Sequence, residues 1–325
     1  MPTVRCVRAS SSAPYRAARF LVAATFALPG VWMGVAAAQT VADRWPAPTG
    51  ALGAVMEHEP SNSRSFTVYR PRDMGVARRL PIVAWGNGAC LANGGAGARP
   101  FLLEIASHGF VIVAPGKPGP DPLLQPLTDS EAPPPMASGP APGADETRAD
   151  DLIAAIDWAI RENERTGSIF RGRLDPARVA VMGHSCGGLQ ALAVQEDRRI
   201  ITSMIWNSGI YERPVGRSGV RLTKAQLAKV RRPIAYIQGG ATDIAYRHVR
   251  DDFARLAGVS AIMLESNVGH GGTLTQPNGG SYARIATAWL NWRLRGDSRA
   301  ALMFVGPDCG LCSDPAWKID RKGMD

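Results

Sequence analysis

The sequence predicts an α/β fold, a mostly parallel sheet flanked by helices on both faces and gathered around one catalytic-size core. Three observations carry this. Short apolar runs alternate with helical segments from Leu80 to Leu294, the pattern of parallel strands joined by crossover helices. The runs Leu80-Pro81-Ile82-Val83-Ala84-Trp85 and Phe110-Val111-Ile112-Val113-Ala114 are nearly continuous rather than alternating, as strands covered on both faces must be. Finally, Gly183-His184-Ser185-Cys186-Gly187-Gly188 sets a glycine-rich turn between an apolar run and a helical segment.

Taken in order, residues 1–38 carry Arg5, Arg8, Arg16 and Arg19 with no acidic residue, then an apolar run from Phe20 to Val35 and Ala36-Ala37-Ala38. That order predicts a secretory signal peptide; the run is shorter than the roughly 20 residues of a membrane span, and no later stretch replaces it, so no integral span is expected after cleavage. Without those four arginines, 33 basic residues face 28 acidic ones and the formal charge falls from +9 to +5. The remaining excess is scattered, with Arg78-Arg79 and Arg231-Arg232 the densest pairs, and lacks the basic, aromatic-interleaved stripe of a nucleic-acid binder. Cys6 leaves with the signal, and the four remaining cysteines, an even count in an oxidising compartment, predict two disulfides among three possible connectivities.

Residues 39–50 read as a loose N-terminal segment, and 51–298 as the single folded domain that the alternating pattern describes. Ala54 to Glu59 and Phe66 to Arg70 are short strands, the second ended by Pro71. After the strand ending at Trp85 comes a helix from Phe101 to Ser107, broken by Gly109, and then the second continuous run. Residues 115–145 are dominated by Pro, Gly and Ala, with Pro133-Pro134-Pro135 at the centre; a loop of this length is a flap over a cleft or a mobile insertion. From Glu146 to Glu164 the residues Leu152, Ile153, Ile156 and Ile160 share one helical face. Strands and helices then alternate: strand Val179 to Met182, helix Gly188 to Gln195, strand Ile201 to Trp206, helix Thr223 to Val230, strand Ile234 to Gln238, helix His248 to Leu256, strand Ala261 to Leu264, helix Tyr282 to Leu294. A tail, 299–325, holds Cys309 and Cys312.

The turn around Ser185 matches a nucleophile elbow in sequence and context: Val179-Ala180-Val181-Met182 leads in, a helix follows, and the flanking glycines permit the tight crossing that exposes the hydroxyl. On these residues the chain resembles the α/β-hydrolase family, more narrowly the secreted esterases of the dienelactone-hydrolase, polyester-hydrolase and cutinase-like groups, from about Phe66 to Leu294. The resemblance implies a secreted serine hydrolase that cleaves carboxylic esters through a Ser-His-Asp triad and an acyl-enzyme, without a large cap domain and with no metal or other cofactor. Amide hydrolysis or acyl transfer on the same triad, and a non-catalytic binding protein of the same fold, are the competing readings.

The family order of nucleophile, acid and base implies Asp243 as the acid, after the strand Ile234 to Gln238 and the turn Gly239-Gly240; capping of the following helix is its structural alternative. Asp251, Asp252 and Glu265 fit that place less well. Of the five histidines, His270, in Asn267-Val268-Gly269-His270-Gly271-Gly272, occupies the place of the base, with a structural loop hydrogen bond as its alternative. His184 adjoins the nucleophile but faces away along the strand, and His108 ends a helix. By the same analogy the oxyanion donors are the backbone N–H groups of Cys186 and Ala89; Asn87 stands where the family commonly has His, and an overlay shifted by one or two residues makes the second donor Gly88 or Asn87 instead. These two loops meet in the fold, which implies a Cys90–Cys186 disulfide. Cys309-Gly310-Leu311-Cys312 has the C-x-x-C spacing of a redox or zinc motif but lacks the surrounding fold for the first and a second ligand pair for the second, and reads as a local tail-pinning pair. Trp206 resembles a cleft-wall aromatic and reads equally well as a core side chain. The 25 residues between Trp206 and Arg232 leave little room for a cap, so the implied substrate is an ester, bulky or polymeric ones included.

Overall fold

The computed structural model describes residues 46–60, 64–75, 79–119, 146–212 and 220–324. The expected signal segment and most of the Pro-rich loop lie outside them. Nine strands form one sheet: β1 (Ala54–Pro60), β2 (Ser65–Pro71), β3 (Leu80–Gly86), β4 (Val111–Pro115), β5 (Leu174–His184), β6 (Ile200–Trp206), β7 (Ile234–Gln238), β8 (Ala261–Glu265) and β9 (Lys318–Lys322), in the order β1-β2-β4-β3-β5-β6-β7-β8-β9. From β4 to β8 every pairing is parallel, whereas β1, β2 and β9 pair antiparallel.

Strand alternation sorts the apolar side chains into two layers. One face sends Ile82, Ala84, Val179, Val181 and Ile205 against helices α2 (Ala149–Glu164), α3 (Cys186–Ala193) and α4 (Tyr246–Arg255). The other sends Val83, Trp85, Met182, Met204 and Trp206 against α1 (Arg99–Ser107) and α5 (Gly280–Arg295). Each large side chain buried in this way contributes roughly 1.5–3 kcal/mol, and Trp289 also satisfies its indole by donating to Thr202 Oγ1 at 2.9 Å.

Several boundaries move for local reasons. Helix α2 starts at Ala149 rather than Glu146 because Arg148 is its cap residue, with Asp151 Oδ2 accepting the Arg148 amide at 2.7 Å. The segment expected as a helix from Thr223 is a 3₁₀ turn, Lys224–Lys229, capped by Thr223 and Gln226. The lead-in from Leu174 belongs to β5, with an irregularity at Val179/Ala180. The tail supplies a short helix, α6 (Ser298–Ala301), and the edge strand β9.

The chain reverses direction across the sheet at β3: α1 carries it to β4 on one side, and α2 returns it to β5 on the other. The crevice between the carboxyl ends of β3 and β5 is therefore the topological switch point, where open α/β sheets bind ligands. Backbones touch there, because a Cβ on Gly187 would run into the carbonyl of Gly86 and one on Gly183 into that of Gly187. We expect Gly187→Ala to destabilise the fold by about 3 kcal/mol, the upper range of core overpacking. Thermal unfolding checks this; an unchanged midpoint would show that the crossing has slack.

Candidate active site

Ser185 sits between β5 and α3 with φ 52° and ψ −120°, a combination that costs a side-chain-bearing residue of order 1–3 kcal/mol. Neighbouring backbone holds it there. Ser185 N–H donates to the Trp206 carbonyl at 3.0 Å, and the Ser185 carbonyl accepts from Gly188 N–H at 2.9 Å. The hydroxyl is thereby presented at the start of α3.

His270 follows β8 in a glycine-bounded turn. Its Nε2 lies 2.9 Å from Ser185 Oγ and its Nδ1 2.7 Å from Asp243 Oδ1. An ionised carboxylate only accepts, so Nδ1 carries the proton and Nε2 keeps a lone pair directed at the serine hydroxyl. Asp243 is buried, with its side chain 0% exposed. Burial alone would raise its pKa, but it accepts from His270 Nδ1, Ala245 N–H at 2.9 Å, Gly239 N–H at 3.0 Å and Asn207 Nδ2 at 2.8 Å. The bonds win, and the carboxyl is held at about 2. Its contact with the Ala245 amide closes a turn before α4 and is not a helix cap, since the cap position is Ala245, which makes no side-chain cap hydrogen bond.

Asn207 was not singled out from sequence. It follows β6 in the left-handed region, φ 46°, and its amide group bridges Asp243 Oδ2 and the Gly269 carbonyl, the latter at 3.1 Å. His184 was set aside as facing away from Ser185. It does lie on the α1/α5 side of the sheet, but the His270 turn lies there too: His184 Nε2 is 2.8 Å from the His270 carbonyl and the two ring centroids are 5.1 Å apart. Burial, then the neighbouring His270, holds its pKa down at about 4.

On the β3 side, Asn87 is buried, and its Nδ2 donates to the carbonyls of Leu91 and Pro115 at 2.6 and 2.8 Å. It shapes the loop from within, which accounts for an asparagine at this position. Ala89 and Cys90 follow with φ 52° and 55°. Cys90 N–H is engaged by the Asn87 carbonyl at 3.1 Å, whereas among the described residues the amides of Ala89 and Cys186 have no hydrogen-bond acceptor, and both residues line the cavity. A disulfide joins Cys90 to Cys186, with Cα atoms 5.2 Å apart, and a second joins Cys309 to Cys312. A parallel brace runs from the Cys90 carbonyl, which accepts Thr147 N–H at 2.7 Å, to Gln190 of α3, which donates to the Thr147 carbonyl at 2.8 Å.

The cavity above Ser185 holds about 800 Å³ and, among the described residues, is lined by no Asp, Glu, Lys or Arg. Its apolar wall includes Leu91, Leu189, Tyr211, Ile244 and Leu274. Trp206 is absent from that wall, which corrects the cleft-wall expectation. It is fully buried, edge-on to Phe101 at 5.1 Å and against Tyr282 at 4.9 Å, because strand alternation aims it into the α1/α5 layer. Trp85 of β3 and Tyr211, which packs on His248 at 4.4 Å, are the aromatics that reach the cavity. No group of three or more potential metal-ligating side chains occurs among the described residues.

No protein-family model matches the chain. It is similar to cutinase cut1 of Thermobifida fusca, 28% identical over 94% of this chain and 88% of the relative. Cutinase 2 of Thermobifida cellulosilytica is 27% identical over 83% of this chain and 93% of its own. Carboxylesterase 1E of Mus musculus is 24% identical over 52% of this chain and 26% of its own length. With this sheet and these relatives, the chain has the α/β-hydrolase fold.

Two outcomes follow for the site. Asp243 is held from an ordinary value of 3.8 down to about 2, so its ionisation contributes stability that is full above the unfolded value and disappears as pH falls through about 2. Denaturant titrations between pH 5 and 2 should show a loss of roughly 2 kcal/mol that Asp243→Asn largely removes; equal slopes in the two proteins would contradict it. The Cys90–Cys186 bond closes a separation of 96 residues, so replacing both cysteines with serine should cost about 4 kcal/mol of stability. Unfolding curves of the two proteins measure this, and an unchanged midpoint would contradict it.

Proposed function

We propose that this chain, a carboxylic-ester hydrolase of the α/β-hydrolase superfamily, works through Ser185, His270 and Asp243 by way of an acyl-enzyme. The observation that carries the reading is the directed relay of 2.7 Å and 2.9 Å from Asp243 through His270 to Ser185, ending beside two unengaged amides. Ser185 Oγ attacks the ester carbonyl carbon while His270 Nε2 takes its proton. The carbonyl oxygen gains the charge and is stabilised by Ala89 N–H and Cys186 N–H, which are held in place before the reaction and so need no reorganisation. Collapse expels the alcohol, which leaves with the proton from Nε2. Water then repeats the sequence on the acyl-enzyme, with His270 again the base, and releases the acid and Ser185.

The same site supports a substrate uncharged on both sides of the ester. Its wall has no carboxylate, ammonium or guanidinium, and burial lowers the pKa of both His184 and His248. A charged substituent would be desolvated there without a partner. Leu91 and Ile244, two of the four exposed large apolar side chains among the described residues, both line this cavity. An apolar rim of that kind supports bulky or polymeric esters. Export belongs to the same reading: two disulfides are stable in an oxidising compartment, and residues 1–38 have the pattern of a signal peptide. No helix among the described residues is long and apolar enough to cross a membrane.

A fluorophosphonate probe should label the wild-type protein and leave Ser185→Ala unlabelled, with ester turnover in the variant reduced at least 10⁴-fold, on the order of known nucleophile deletions. Between p-nitrophenyl butyrate and its hemisuccinate analogue, kcat/KM should favour the neutral ester by at least about tenfold, the equivalent of 1.4 kcal/mol of unpaired-charge desolvation. A variant that still labels overturns the nucleophile; a preference for the anionic ester overturns the substrate class.

A further inference from the structure

The turn that carries the base is held at two successive carbonyls by two side chains from neighbouring strands. Asn207, beyond β6, donates to the Gly269 carbonyl at 3.1 Å. His184, the last residue of β5, lies with Nε2 2.8 Å from the His270 carbonyl. Because a carbonyl only accepts, this contact requires the proton of His184 on Nε2. The backbone beneath completes the seat, with Gly269 N–H donating to the Gly239 carbonyl at 2.9 Å.

The opposite side of the same imidazole faces the oxyanion loop. A Cβ placed on Gly88 would come within 2.9 Å of His184 Nδ1, so the ring stands against the backbone next to Ala89. His184 is also covalently adjacent to Ser185. One side chain therefore touches the turn that holds the base, abuts the loop that holds a proposed oxyanion donor, and belongs to the strand that presents the nucleophile.

We propose that His184 is a positioning residue: its Nε2–H···O=C bond to His270 and its packing on Gly88 register the base and the oxyanion loop against β5, and hence against Ser185. The inference rests on the triad reading above. It also explains the side-chain choice. A flat, two-nitrogen ring spans the gap between the two loops, and burial keeps it uncharged beside the imidazolium that forms on His270 during attack, where a second cation would oppose the transition state. An error of about 1 Å in such a constellation costs up to about 10²-fold in rate, so the effect belongs in kcat.

The test has two parts. Nitrogen-15 NMR of the histidine-labelled wild-type protein at neutral pH should show His184 neutral with its proton on Nε2; a proton on Nδ1 overturns the proposal without any variant. In kinetics, His184→Phe keeps the planar bulk and removes the donor, and should lower kcat about 10- to 100-fold with KM within about threefold. His184→Gln, which restores an N–H at the reach of Nε2, should recover most of that loss. A His184→Phe enzyme with kcat within twofold of wild type, a loss confined to KM, or a Gln variant as poor as Phe each overturns it. Fluorophosphonate labelling of the wild type separates the cases: if the wild type itself is not labelled, the triad reading has failed, whereas an active, labelled wild type with an indifferent His184 sinks only the positioning role.

Discussion

The contact between Gly86 and Gly187, backbone on backbone, sets the spacing on which the rest of the site is built. Only residues without a Cβ let the first turn of α3 lie against the end of β3, and only that approach allows Ser185 to stand with its φ of 52° at the head of the helix. The strain of that conformation is small beside the two apolar layers that clamp the sheet, so the core can hold it. The same crossing brings the Cys186 amide and the loop after β3 to one place. The Cys90–Cys186 bond and the Thr147–Gln190 brace then join what the glycines have brought near.

The electrostatics follow from this geometry. One buried carboxylate, Asp243, is surrounded by four donors, His270 Nδ1 among them, and is held well below the usual carboxylate range. Elsewhere the cavity wall is uncharged, although the chain as a whole is basic, +9 by formal count.

Much of this was legible in the sequence, for identifiable reasons. Strands β3 to β8 are buried on both faces, and their apolar runs stand out against any background. Ser185, Asp243 and His270 each follow such a run within glycine-rich turns, so order and punctuation pointed to them. Strand β9, Lys-Ile-Asp-Arg-Lys, escaped notice because an exposed edge strand needs no apolar face. Trp206 was ambiguous because a strand-end aromatic can turn to either side. Its register partner His184 shows which side: both point to the α1/α5 layer, and the His270 turn closes over that layer. Alternation alone says only that His184 and Ser185 face opposite ways; that the His270 turn closes over the His184 side is set by the folded sheet. Asn207 and Asn87 left no such signal, since Asn207 bonds the Asp243 carboxylate and the Gly269 carbonyl, and Asn87 the carbonyls of Leu91 and Pro115, pairings that no motif announces. The expected signal peptide and the Pro-rich loop lie on residues outside the described structure.

The most direct test of the account is a crystal structure of the protein inhibited by a phosphonate ester, whose tetrahedral phosphorus stands in for the acyl carbon at the transition state. Phosphorus is expected on Ser185 Oγ, with its anionic oxygen about 3 Å from both Ala89 N and Cys186 N and His270 Nε2 turned towards the leaving-group side. An adduct on another residue, or a phosphonyl oxygen directed away from both amides, would contradict it.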